Sequence, residues 1–201
     1  ATIRRQRQMC IRDRDGESLK IRAVVETGLG KTIVSLSNKA REKMENSRLG
    51  INRILQSGET TYGVNTGFGA LSSVSIDSDK LEALQVNLIR SHACGVGEEM
   101  ENKHTLMMML IRANTLCRGN SGARPLIVDT LISMINHKIC PAIPRIGSLG
   151  ASGDLAPLSH LAMGMMGEGF CYIMDEGGNW NKVPALDALK KSVSYTHLTL
   201  P

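Results

Sequence analysis

The sequence predicts a mainly α fold, a helical bundle with long Gly-rich loops, and three observations carry that prediction. Leu81, Leu84, Leu88 and Ile89 recur at helical spacing as one apolar stripe. Leu106-Met107-Met108-Met109-Leu110-Ile111 is apolar on every side, which places its helix at the centre of the bundle. Pro125 suits the first turn of a helix that bears Ile127, Val128, Leu131, Ile132 and Ile135.

Taken in chain order, Ser18 to Glu26 carries Leu19, Ile21, Val24 and Val25, a short strand or helix that periodicity alone does not settle. Ser35 to Leu55 reads as helix, with Ala40, Met44, Leu49 and Ile54 on its apolar side. Gly63 to Ser78, rich in Gly, Ser, Thr and Asn, is loop. Asp79 begins the next helix as its cap, with Glu82 three residues on. The all-apolar helix and the Pro125 helix follow, and Pro141 and Pro144 close the latter. A Gly-Ser segment then leads to a fourth helix from Asp154, rich in Ala, Leu and Met. No internal repeat is present.

The chain has 201 residues, enough for one domain with a real core, and 42% hydrophobic with 21% charged residues fits a soluble globular protein. No apolar run approaches the roughly 18 residues of a membrane helix and no signal-peptide pattern opens the chain, so a cytoplasmic location is expected. Most of the formal charge of +5 sits in residues 1–14, where Arg4, Arg5, Arg7, Arg12 and Arg14 face Asp13 alone. The rest is nearly neutral, which argues against a nucleic-acid partner. Cys10, Cys94, Cys117, Cys140 and Cys171 are scattered without a Cys-x-x-Cys pair, so reduced thiols are expected rather than a metal site.

The two ends fit nothing between them. Gln8-Met9-Cys10-Ile11-Arg12-Asp13-Arg14 and Val193-Ser194-Tyr195-Thr196-His197-Leu198-Thr199-Leu200-Pro201 resemble translated sequencing-adaptor read-through; the other reading is a disordered basic arm and an ordinary strand. The expected division is a non-native or disordered arm over 1–17, a domain segment over 18–192 and a non-native tail over 193–201. On that division the chain is a gene fragment, and neither Tyr195 nor His197 is given a role.

The segment Gly147-Ser148-Leu149-Gly150-Ala151-Ser152-Gly153-Asp154 is unusual in the chemistry it permits. Glycine at 153 offers an unhindered amide nitrogen and a backbone free to bend sharply. Attack of that nitrogen on the carbonyl carbon of Ala151 closes a five-membered ring. Loss of water from the ring, and of the Ser152 hydroxyl, leaves a methylidene-imidazolone whose exocyclic carbon accepts an amine. A helix start at this point adds positive potential for the ring oxygen as it gains charge. Taken alone, the same residues equally suit a loop in which Ser152 or Asp154 caps a helix.

The surrounding sequence decides between these. From about Leu19 to Gly169 the chain resembles the histidine, phenylalanine and tyrosine ammonia-lyase superfamily. The resemblance runs through Tyr62-Gly63-Val64-Asn65-Thr66-Gly67-Phe68-Gly69, then Asn87-Leu88-Ile89-Arg90-Ser91-His92-Ala93-Cys94-Gly95-Val96-Gly97. It continues in Arg112-Ala113-Asn114-Thr115-Leu116 and Gly119-Asn120-Ser121-Gly122-Ala123-Arg124.

The resemblance implies the N-terminal portion of a helical-bundle ammonia-lyase fold. Ala151, Ser152 and Gly153 are then precursors of a 4-methylidene-imidazol-5-one (MIO) cofactor formed autocatalytically, with no external cofactor and no metal. Tyr62 matches the loop tyrosine taken as the base for the β-proton. A phenol with an ordinary pKa of about 10 needs its anion stabilised for that role, by backbone amides or a helix-end field. His92 stands where the histidine and tyrosine lyases carry a histidine that contacts the substrate side chain.

Ser91-His92 before Ala-Cys-Gly-Val-Gly is most like the histidine-specific branch, so the implied reaction is non-oxidative elimination of ammonia from L-histidine, giving trans-urocanate. A tyrosine or phenylalanine ammonia-lyase or an aromatic aminomutase is the alternative, and Asn120, where histidine lyases commonly have an aromatic residue, departs from the pattern. The family implies a homotetramer of much longer chains with shared active sites, so the 201-residue chain alone is expected to be inactive.

One motif points to another class. Thr27-Gly28-Leu29-Gly30-Lys31-Thr32 mimics the end of the phosphate-binding loop of P-loop ATPases, and Tyr172-Ile173-Met174-Asp175-Glu176 their metal-holding strand. The proper loop needs glycine four residues before Gly30, where Val25 stands. Thr27 to Thr32 is therefore expected to be a connecting loop with Lys31 on the surface.

Overall fold

Thr32 to Leu36 form a strand although a helix was expected to begin at Ser35, and that strand organises the N-terminal end. The computed structural model describes residues 10–67, 76, 80–149 and 153–192. Strand β1 (Cys10–Arg14), helix α1 (Ile21–Gly28) and strand β2 (Thr32–Leu36) form one unit, with β1 and β2 parallel from Cys10 opposite Thr32 to Arg14 opposite Leu36. Parallel strands need a crossover, and α1 supplies it. The ambiguous segment Ser18–Glu26 is thus helix from Ile21, burying Ala23 and Thr27, four residues apart, while Ile21 stays exposed.

The arm expected over residues 1–17 is ordered from Cys10 onward. Backbone groups along β2 need hydrogen-bonding partners, and residues 10–14 provide them. Arg14 is buried rather than solvated, and Asp15 accepts hydrogen bonds from the amides of Glu17 and Ser18. Residues 1–9 and the tail 193–201 lie outside the described residues.

Helix α2 (Asn38–Ser57) starts at Ser37, whose Oγ accepts from the Ala40 amide, and stops at Gly58 in the left-handed conformation. Ala40 and Met44 of its expected apolar side are buried, but Leu49 remains exposed. Helix α3 (Leu81–His92) has Lys80 at its cap position; Asp79, the expected cap, lies outside the described residues. The α3 stripe is only half-buried. Strand β3 (Val96–Glu99) follows.

Helices α4 (Asn102–Leu116) and α5 (Pro125–Asn136) form the centre. Leu106, Met109, Leu110 and Ala113 pack with Val128, Leu131, Met134 and Ile135. Ile111 is 49% exposed, so the all-apolar run is not enclosed on every side. Leu110 is 1% exposed. Leu110→Ala is expected to cost about 2–5 kcal/mol from lost transfer energy and the cavity left behind, measured by urea unfolding of this chain.

After α5 the prolines belong to strands: Pro141 ends β4 (Ile139–Pro141) and Pro144 begins β5 (Pro144–Ile146). Helix α6 (Leu155–Met165), the hairpin β6 (Phe170–Met174) and β7 (Trp180–Pro184), and helix α7 (Ala185–Ser192) complete the described chain. β3 pairs antiparallel with β5, and β6 lies between β4 and β7. No helix among the described residues is long and apolar enough to cross a membrane.

Candidate active site

Tyr62 sits on a turn whose base is tightly tied. The Asn65 side chain accepts from the Thr61 amide at 2.8 Å and donates to the Glu59 carbonyl at 2.9 Å. The Gly63 amide donates to Thr66 Oγ1, and Asn65 and Thr66 are buried. Above that base Tyr62 is 64% exposed. Gly63 and Val64 line a cavity of about 230 Å³ with Arg48, Leu81 and Gln85.

The wall of that cavity is the Gly119–Arg124 segment. Ser121, Ala123 and Ile127 also line a second cavity of about 260 Å³, bounded by Arg112, Leu131, Leu158 and Met165. This segment therefore stands between the Tyr62 turn and α6. It is pinned to α2 through the Gly122 amide, which donates to Ser47 Oγ at 3.0 Å. Gly119 approaches so closely that a Cβ there would lie 2.7 Å from the Lys43 carbonyl oxygen.

His92 is the last residue of α3. Its Nδ1 lies 2.8 Å from the Leu88 carbonyl oxygen, which can only accept, so Nδ1 carries the proton. In the neutral ring Nε2 then carries the lone pair, which can accept from an imidazole N–H or a phenol O–H. Beyond His92, the Gly95 amide donates to Nε2 of His160 on α6 at 3.1 Å.

Two positive-φ glycines mark the Ala151-Ser152-Gly153 segment, Gly147 ahead of it and Gly153 as its last residue. Gly147 has φ +150°, and a Cβ there would come within 2.8 Å of Gly95 Cα and 3.4 Å of the Ala156 Cβ. Gly153 has φ +67°, a left-handed conformation natural to glycine, with open space where a Cβ would point. Ala151 and Ser152 lie outside the described residues. Asp154 holds the cap position of α6 without a side-chain cap bond, so the helix begins directly after the triad. Gly153 fits a ring closed through its nitrogen: the space where a Cβ would point is open, and the conformation is one glycine adopts freely.

The structure thus brings the residues after His92 against both the approach to the triad and the helix that leaves it. It places Tyr62 on a separate turn, across the Gly119–Arg124 segment. The sequence reading missed His160 and the Gly95–Gly147 contact. Ala156 and His160 are four residues apart and so share the helix face that the Gly95–Gly147 contact meets. Gly147→Ala is expected to destabilise by about 1–3 kcal/mol in urea unfolding, from backbone strain and overlap with Gly95. Gly178→Ala, in a positive-φ turn with open space, serves as the control and isolates conformational strain from overlap.

The ATPase motif is excluded by element order. Thr27 and Gly28 end a helix and Thr32 begins a strand, the reverse of a phosphate loop. Gly28 serves close packing instead, since a Cβ there would meet Met107 and the Lys103 carbonyl. Asp175 belongs to a hairpin turn, where it accepts from the Asn179 amide.

The model of the aromatic amino acid lyase family matches residues 19–198. Histidine ammonia-lyase of Staphylococcus saprophyticus is 48% identical over 163 residues, covering 81% of this chain and 32% of that one. Among solved structures, histidine ammonia-lyase from Trypanosoma cruzi is similar with a TM-score of 0.83 at 35% identity, over 96% of this chain and 35% of that one. Tyrosine aminomutase from Streptomyces globisporus gives a TM-score of 0.81 at 34% identity, over 94% of this chain and 34% of that one. The chain spans about a third of the length of the curated relatives it matches.

Proposed function

We propose that this chain, which belongs to the aromatic amino acid lyase family, is the N-terminal part of an enzyme that eliminates ammonia from L-histidine to give trans-urocanate. The observation that carries the proposal is the convergence of the His92 segment and both flanks of Ala151-Ser152-Gly153 on α6, through the Gly95 bond to His160 and the Gly147 contact with Gly95 and Ala156.

Ala151, Ser152 and Gly153 would supply the methylidene-imidazolone, whose chemistry is to accept the substrate amine and make it a better leaving group. His92 orients the substrate: its Nε2 lone pair accepts a hydrogen bond from the imidazole N–H. The start of α6, directly after Gly153, brings the positive end of the helix dipole beside the triad and favours negative charge there. Tyr62, on its tied turn, takes the β-proton as general base. Deprotonation at carbon and loss of ammonia then leave the trans-alkene, with the proton held on the phenol oxygen.

A histidine substrate is supported by the Ser91-His92 pair and by the 48% identity to the histidine ammonia-lyase of Staphylococcus saprophyticus. Tyrosine lyase or aminomutase chemistry is the second reading, because a phenol O–H also donates to His92 Nε2. The complete protein is proposed to be a cytoplasmic homotetramer with shared sites, and the 201-residue chain alone to be inactive.

The test is made on the complete enzyme, by ultraviolet detection of product. Urocanate from histidine is expected at a kcat/KM at least about a hundredfold above that of coumarate from tyrosine, a gap that a site matched to one polar side chain readily gives. Faster coumarate formation, or a β-amino acid product, would overturn the assignment.

A further inference from the structure

Two ties hold the C-terminal end of α3 to the α6 region, one on each side of His92. Before it, Arg90 binds Glu168 through two hydrogen bonds, Nε at 3.0 Å and Nη2 at 2.5 Å. After it, the Gly95 amide donates to His160 Nε2 at 3.1 Å. The ion pair is largely exposed and contributes little. The His160 bond is half-buried and sits in a tight contact: a Cβ on Gly95 would lie 3.0 Å from Nε2 and 3.1 Å from Pro144. Accepting from an amide requires neutral imidazole with its proton on Nδ1, and burial lowers the His160 pKa in the same direction. Gly95 in turn rests against Gly147, ahead of the triad.

We propose that His160 is a positioning residue for substrate binding: by holding the Gly95 amide it fixes the turn after His92 on α6, and so sets where His92 meets the substrate side chain. This rests on the reading of His92 as the substrate-contacting residue. His160 takes no part in proton transfer or covalent chemistry, and its effect passes through His92.

The experiment uses the complete enzyme and four variants: His160→Leu, His160→Gln, His92→Ala and the double variant His160→Leu/His92→Ala. The readouts are urocanate affinity by calorimetry, kcat and KM for histidine, and the near-ultraviolet absorbance of the cofactor. His160→Leu is expected to weaken urocanate binding and raise KM about tenfold, the scale of one hydrogen bond, with absorbance kept and kcat changed less than KM. His160→Gln, whose side-chain oxygen can accept from the Gly95 amide, is expected to stay within about threefold of the parent. In the His92→Ala background, His160→Leu adds no further loss.

Additive losses in the double variant, unchanged binding in His160→Leu, or loss of its absorbance would overturn the positioning role. Should His160→Leu fail to fold, a Gln variant that folds but binds like His92→Ala would overturn it equally. Unchanged binding in His92→Ala alone would instead remove the reading of His92 itself, and this inference with it.

Discussion

In the complete enzyme, Ser152→Ala is expected to abolish the near-ultraviolet absorption of a conjugated imidazolone and to lower kcat at least about a thousandfold, equivalent to about 4 kcal/mol of barrier. The substitution removes one oxygen. That oxygen would leave, with the α-hydrogen, as the water whose loss makes the exocyclic double bond, so without it the Cβ stays a saturated methyl to which the substrate amine cannot add. The magnitude separates this role from the plainer one. A serine that only capped α6 would cost about 1 kcal/mol of stability on replacement and leave the rate intact. Asp154 already holds the cap position, so the melting temperature of Ser152→Ala is expected to stay close to that of the parent. Activity and absorbance measured on the same preparation decide between the two roles; a variant that keeps both removes the triad from the chemistry.

Tyr62→Phe is expected to lower kcat by a factor on the order of 10² to 10⁴, the range for loss of a positioned general base. The phenyl ring keeps the shape of the side chain, and Asn65 and Thr66 tie the turn beneath it. With the ring 64% exposed, the change in stability should stay within about 0.5 kcal/mol. Product affinity is expected to hold while turnover falls, because Tyr62 is the proposed base for the β-proton and His92 the proposed contact for the substrate side chain. Rates within a few-fold of the parent would assign proton removal to another group.

The helical bundle was legible in the sequence where burial and periodicity agree. Pro125 begins α5 as its spacing requires, and the apolar run over 106–111 lies in α4 at the core. The strands were less legible. β3 reads Val-Gly-Glu-Glu without alternation, and its partner β5 is three residues starting at a proline, so both exist through pairing rather than pattern. β1 likewise forms because β2 offers it an edge, which local sequence does not encode. At the site, the resemblance of their motifs to a known family pointed to Tyr62, His92 and Ala151-Ser152-Gly153 as candidates. The Gly95–His160 bond joins residues 65 positions apart, and no local signal reports such a contact. The glycines at 95 and 147 look like ordinary loop residues until the backbones are seen to touch.

The central claim is that Ala151, Ser152 and Gly153 condense. Trypsin cuts after Arg145 and Lys182, releasing one peptide from Ile146 to Lys182 that contains the whole triad. Mass spectrometry of that peptide from the complete enzyme is expected to show it lighter than its sequence by two water molecules, one from ring closure and one from the Ser152 hydroxyl. A peptide at the full mass of its sequence, recovered from enzyme that still converts histidine, would contradict the account.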